Sequence, residues 1–149
     1  MKAKIFNIIL AIIITLLFAI QFMPVKTNNP PALSDFSGPE NIKAILQRSC
    51  YDCHSNLTHW PWYSQIAPIS WLISHDVQEG REHLNFSTWD SYSIKKQTHK
   101  IEEIWEHVEK AEMPPKTYLY LHSKAKLSAA DKEAMKNWAI PTVEEETFN

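Results

Sequence analysis

The sequence predicts an all-α domain carried behind one membrane-crossing helix. Three observations predict it. Only two of the 149 residues are glycine, Gly38 and Gly80, so the tight hairpins of a many-stranded sheet have few places to form. Past residue 35, four segments set apolar side chains at helical spacing, and two of them open with capping boxes. Strand signals are weak throughout; Tyr118 to Leu121 is apolar but too short to carry a sheet.

The first element is the anchor. Lys2 and Lys4 precede an apolar run from Ile5 to Met23, broken only by Asn7, Thr15 and Gln21. That is about the length a helix needs to cross a bilayer core. A cleaved signal peptide is the rival, although Ala19-Ile20-Gln21-Phe22-Met23-Pro24 offers no small-x-small cleavage site. The two lysines favour a cytoplasmic N-terminus, which places everything after residue 26 outside the cytoplasmic membrane. Residues 1–26 are therefore read as anchor or signal segment, and 27–39, with three prolines and small polar residues, as a linker. The working domain spans 40–141, and the acidic residues 142–149 form a flexible tail.

Within the domain, Ser37 and Glu40 form the first capping box around Pro39, and Ile42, Ile45, Leu46 and Ser49 follow on one face. A second helix starts near Pro68, carries Ile69, Leu72, Ile73 and Val77, and ends around Gly80. A third is capped by Asp90 or Ser91 and bears Ile94, Ile101, Ile104, Trp105 and Val108. The last opens with Ser128 and Asp131, buries Ala134, Met135 and Trp138, and stops at Pro141.

Composition excludes several functions. Two isolated glycines cannot build a phosphate-cradling glycine loop. Residues 27–149 hold 12 Lys and Arg against 17 Asp and Glu, so there is no basic footprint and no nucleic-acid partner is expected.

Both cysteines fall in one motif, Cys50-Tyr51-Asp52-Cys53-His54. CxxCH is the attachment pattern of c-type haem. Each thiol adds across one vinyl group to form a thioether, and the two-residue spacer lets both sulfurs reach one edge of the porphyrin. His54 then falls under the iron as proximal ligand. A thioredoxin-type CxxC would follow a strand, and none is visible. A zinc site would need further ligands at close spacing, which the later histidines do not supply. A disulfide across two residues is strained. One covalent haem c per chain is the expected cofactor.

For the distal position, Met113 in Glu112-Met113-Pro114-Pro115 is the leading candidate, because the prolines hold it in a non-helical loop. His122 is the alternative; His59, His75, His83, His99 and His107 are read as exposed or locally satisfied, and an open sixth position is the remaining case. Trp62, in Trp60-Pro61-Trp62-Tyr63, either shields a haem edge or bonds a propionate. Arg81 is either a propionate partner or a solvated surface cation. His54 should donate its second ring N–H to a backbone carbonyl; analogy with cytochromes c makes Pro61 or Pro68 the expected acceptor.

The stretch Cys50 to Trp89, CYDCHSNLTHWPWYSQIAPISWLISHDVQEGREHLNFSTW, resembles the haem-binding domain family of exported bacterial proteins, as does EMPPKTYLYLHSKAKLSAADKEAMKNW. CYDCHSN, WPWYS, GREHLNFS and MPP…H…LS carry the likeness, which covers nearly all of residues 35–140. The resemblance implies a cytochrome c-like small helical domain around one covalent haem, with an electron-transfer role. Small mono-haem cytochromes c also place a methionine before the final helix, which favours Met113.

The expected protein is thus a one-electron carrier rather than an enzyme, single-pass at the cytoplasmic membrane, serving redox partners of a respiratory chain. A five-coordinate peroxidase-like enzyme or a haem sensor is the alternative, and a haem-bearing interaction module is a third.

Overall fold

A computed structural model describes residues 2–140; the expected tail 142–149 and the stop at Pro141 lie outside the described residues. Those residues form seven α-helices joined by 3-10 turns, with no strand among them. The all-α expectation holds.

Helix α1 (Lys2–Ala19) continues through a 3-10 turn, Ile20–Phe22. Its 21 residues are long and apolar enough to cross a membrane, and none of that span is buried against the rest of the chain.

Residues 27–39 do not hang free as a linker. Ser74 Oγ donates to Lys26 O, and Arg81 donates to Asn28 O and Asn29 Oδ1. Asn56 Nδ2 donates to Pro31 O, and the Leu33 and Ser34 amides both donate to Ser87 O. Phe36 then enters the core at 2% exposure. Segment 21–36 is a strap bonded across the domain, so the packed unit begins well before residue 40.

Helix α2 (Glu40–Ser49) buries Ile42, Ile45, Leu46 and Ser49, the face its spacing predicts. Its capping box does not form. Pro39 is the N-cap, and Ser37 Oγ instead reaches Asp90 Oδ1 at 3.4 Å. After Cys50, whose φ of −127° breaks the helix, comes the single turn α3 (Tyr51–His54).

Helix α4 (Ile69–His83) passes through Gly80 and runs three residues further. Gly80 is not a terminator but a crossing point: a Cβ there would sit 2.6 Å from Cys53 O. Only a bare Cα lets α4 lie this close to α3.

Helix α5 (Ile94–Glu109) is capped by Ser93, whose side chain accepts from Lys96 N, rather than by Asp90 or Ser91, which fall in the preceding 3-10 segment. Ile94 is exposed, off the buried stripe that includes Trp105 and Val108. Tyr118 and its neighbours form a helical turn, α6 (Lys116–Leu119). Helix α7 (Ala129–Ala139) has the full Ser128–Asp131 capping box and buries Met135, with Ala134 and Trp138 packed beside it.

Aromatic rings join these pieces into one core. Tyr51 stacks on Phe86 at 4.9 Å, and Phe36 meets Phe86, Trp89 and Trp138 edge-on. Edge-on and offset pairs add about 0.5–1.5 kcal/mol each beyond their burial. Tyr51 lies inside the CxxCH motif, so this cluster fixes the motif's backbone.

Candidate functional site

Burial of Ile42, Ile45 and Leu46 holds one side of α2 in the core. The following turn brings Cys50, Cys53 and His54 onto the wall of a cavity of about 730 Å³. That volume lies in the range of small-molecule and cofactor sites, about 300–1,000 Å³.

His54 is held by α4. Its Nδ1 lies 2.8 Å from Gly80 O and 3.2 Å from Leu84 O. Both neighbours are carbonyls, so Nδ1 carries the proton and donates, which leaves the lone pair on Nε2. The acceptor is therefore neither Pro61 nor Pro68. Pro61 O already accepts from the Ser64 amide and hydroxyl, and Pro68 O accepts from Trp71 N. The close α3–α4 crossing brings the carbonyls at the end of α4 to the ring instead. Burial pushes the imidazole's pKa down, against the two carbonyl bonds, so the ring stays neutral and able to ligate.

The cysteines are free thiols. Burial pushes Cys50 up to about 12 and Cys53 up to about 11, and neighbouring negative charge adds to both. A thiol-exchange centre needs the opposite shift.

Apolar side chains make much of the remaining wall. Ile69, Leu72, Ile73 and Val77 of α4 line it, as do Ile104 and Val108 of α5. Ile69 and Leu72 are among the more exposed large apolar residues of the domain, because the stripe faces the cavity rather than the core.

Met113 and His122, the two distal candidates, both line this cavity. They differ in freedom. His122 stacks on Tyr118 at 4.0 Å, its Nδ1 pairs with Tyr118 O at 3.0 Å, and its Nε2 lies 3.1 Å from Tyr63 Oη. With Nδ1–H donating, Nε2 accepts the phenol proton, so both ring nitrogens are engaged. Met113 is 38% exposed, and its backbone is held by the end of α5. Ala111 sits at φ 55°, its amide donates to Val108 O, and the Glu112 and Met113 amides turn back onto His107 O. This is a Schellman-type stop, built here on alanine.

Trp62 and Arg81 do not line the cavity. Trp62 is 76% exposed on the outside. The Arg81 guanidinium donates to Ser55 O, Asn28 O, Asn29 Oδ1 and Thr58 Oγ1, and so binds the strap.

Several lining residues went unnoticed in the sequence. Lys100, paired with Glu103, is the lysine on the wall. Asp52 accepts from Tyr118 Oη at 2.6 Å and from His59 N at 2.9 Å, which ties the CxxCH turn to the segment after Met113. Tyr118 and His122 stand four apart, a spacing that signals one helix face; the partnership with Asp52 has no local signature.

The chemistry of this donor set suits haem. Two thiols, a neutral imidazole with a free Nε2, a thioether and apolar walls share one cavity. Ser49 Oγ, buried on its lining, has no hydrogen-bond partner among the described residues. Among those residues, no three His, Cys, Asp or Glu side chains cluster as a separate metal site. A family model described as a haem-binding domain matches residues 15–140. No curated protein and no solved structure matches the chain.

Proposed function

The chain belongs to the haem-binding domain family, and from that premise we propose a membrane-anchored, c-type, one-electron carrier. The observation that carries the reading is the cavity wall itself: Cys50, Cys53 and His54 meet there on one turn, with Nε2 of the imidazole unprotonated. Cys50 and Cys53 would hold the group through two thioethers, each thiol adding across one vinyl group. His54 is the proximal ligand, aligned and made more basic by its bond to Gly80 O. Met113 would supply the second iron ligand, since the competing His122 has both nitrogens engaged.

Bound haem supplies a reversible one-electron couple. A thioether ligand raises its potential, and the apolar wall from α4 and α5 acts in the same direction by disfavouring added charge. The α1 span, with Lys2 and Lys4 on the cytoplasmic side, keeps the domain on the outer face of the membrane. Confinement there raises the effective concentration of membrane-bound redox partners.

The test is the full chain made in a host with haem-attachment machinery. Expected are haem absorption that persists after denaturation, a mass increased by one haem, and no carbon monoxide binding by the reduced protein. A denatured chain of unaltered mass overturns covalent attachment. Ready carbon monoxide binding overturns Met113 ligation and favours a peroxidase-like or sensor role.

A further inference from the structure

The end of α1 is fastened to the domain at one place. Gln21 lies in the last turn of the apolar span, and its amide makes a two-point bond: Nε2 donates to Ala67 O and Oε1 accepts from Ala67 N, each at 3.0 Å. Four residues after Met23, Thr27 Oγ1 accepts from Gln65 Nε2 at 3.4 Å. Segment 21–27 therefore runs beside the turn Trp62–Gln65 and the start of α4. Between and around these bonds the surface is apolar. Phe22 is 75% exposed, Met23 56%, Trp62 76% and Ile66 42%. Water-exposed apolar residues grouped this way on a soluble face mark a surface that something covers. Lys26, exposed, follows just beyond them.

We propose that Phe22, Met23, Trp62 and Ile66 form a seat that rests in the headgroup region of the bilayer crossed by α1. The occupant is the lipid surface because of position. A helix that ends at Phe22 leaves the hydrocarbon there, and the Gln21–Ala67 and Thr27–Gln65 bonds hold Ile66 and the turn that carries Trp62 beside that exit. Tryptophan suits this depth, with its ring among acyl chains and its N–H toward water. Lys26 then stands at the level of the lipid phosphates. Because the strap is bonded along the domain, seating fixes how the haem cavity faces the membrane instead of letting it tumble on a tether. The inference rests on the reading of α1 as a retained membrane span.

The test is amide hydrogen exchange on the full, haem-loaded chain in nanodiscs of phosphatidylethanolamine and phosphatidylglycerol. Residues 62–67 should exchange slowly in the wild type, lose that protection in a Trp62→Ser/Ile66→Ser double variant, and keep it in Trp62→Phe. Trp62 is 76% exposed and Ile66 42%, and neither belongs to the buried core, so haem absorption should stay unchanged and report an intact fold. Equal exchange in the wild type and the double variant, with both chains resistant to carbonate extraction, overturns the seat while leaving the anchor standing. Release by carbonate, or a chain lacking residues 1–26, overturns the anchor and the seat with it.

Discussion

At the level of single residues, the site turns on which lone pairs are free. His54 Nε2 is free because Nδ1 is committed to Gly80 O, and His122 Nε2 is not free because Tyr63 holds it. Met113 has a thioether on the cavity wall and no rival demand on it. Met113→Ala should therefore leave the haem attached, lower its potential, and let the ferrous iron take carbon monoxide. Unchanged ligand-field bands in that variant would rule Met113 out. The candidate ligands that share the cavity were legible because they are chemically rare: two cysteines in one pentapeptide, and a methionine pinned between a helix end and two prolines. The acceptor for His54 was not legible. It depends on where α4 crosses α3, and that is set by packing between segments 26 residues apart.

Among the helices, the same division recurs. Faces were readable because apolar spacing is local, as with Ile42, Ile45 and Leu46 of α2. Ends were less so: a capping box at Ser37–Glu40 lost to a contact with Asp90, which no local pattern announces. Gly80 read as a helix stop because glycine is a poor helix former, yet its service is to the α3–α4 crossing. Gly80→Ala gains up to about 1 kcal/mol in helix propensity. Against that stands a Cβ 2.6 Å from a backbone oxygen, and overpacking of this kind costs about 1–3 kcal/mol. The clash is with main chain, so it should win. A lower melting temperature together with a perturbed haem spectrum is expected, because Gly80 O moves relative to His54. A rise in melting temperature with an unchanged spectrum would contradict the crossing. The end of α5 predicts the reverse sign. Ala111 occupies the left-handed region at φ 55°, which costs an L-residue about 1–2 kcal/mol. Ala111→Gly removes that strain but adds about 0.5–1 kcal/mol of chain entropy to be lost on folding. The balance is a stabilisation of up to about 1.5 kcal/mol, readable by thermal unfolding, with the haem spectrum unchanged.

For the whole molecule, the strap is what joins the apolar helix α1, the CxxCH turn and the core, and two side chains test it. Near its end, Asp35 bonds Lys43, Tyr51 Oη and the Phe36 amide. Burial pushes the Asp35 carboxyl up, but these bonds outweigh it and hold it below its ordinary value. A carboxylate with a lowered folded value stabilises above the unfolded value, near 4, and loses that contribution as pH falls through the folded one. Melting of wild type and Asp35→Asn should thus differ at pH 7 and converge in strong acid; a gap independent of pH would exclude the ionised contact. Further toward α1, Arg81 decides between two roles. As a propionate partner it would act on the haem; as placed, its guanidinium joins Asn28 and Asn29 of the strap to Ser55 and Thr58 beside the CxxCH turn. Its loss strands acceptors, each worth about 1–3 kcal/mol where water cannot replace the donor. Water can reach the Asn28 and Asn29 side, which is exposed, but less so the buried Ser55 and Thr58. Arg81→Ala should therefore lose about 2 kcal/mol in unfolding and open residues 26–31 to proteolysis, with haem absorption and potential unchanged. A shifted potential with an intact strap would return Arg81 to the haem, and the domain would then need another tie to the segment that follows α1.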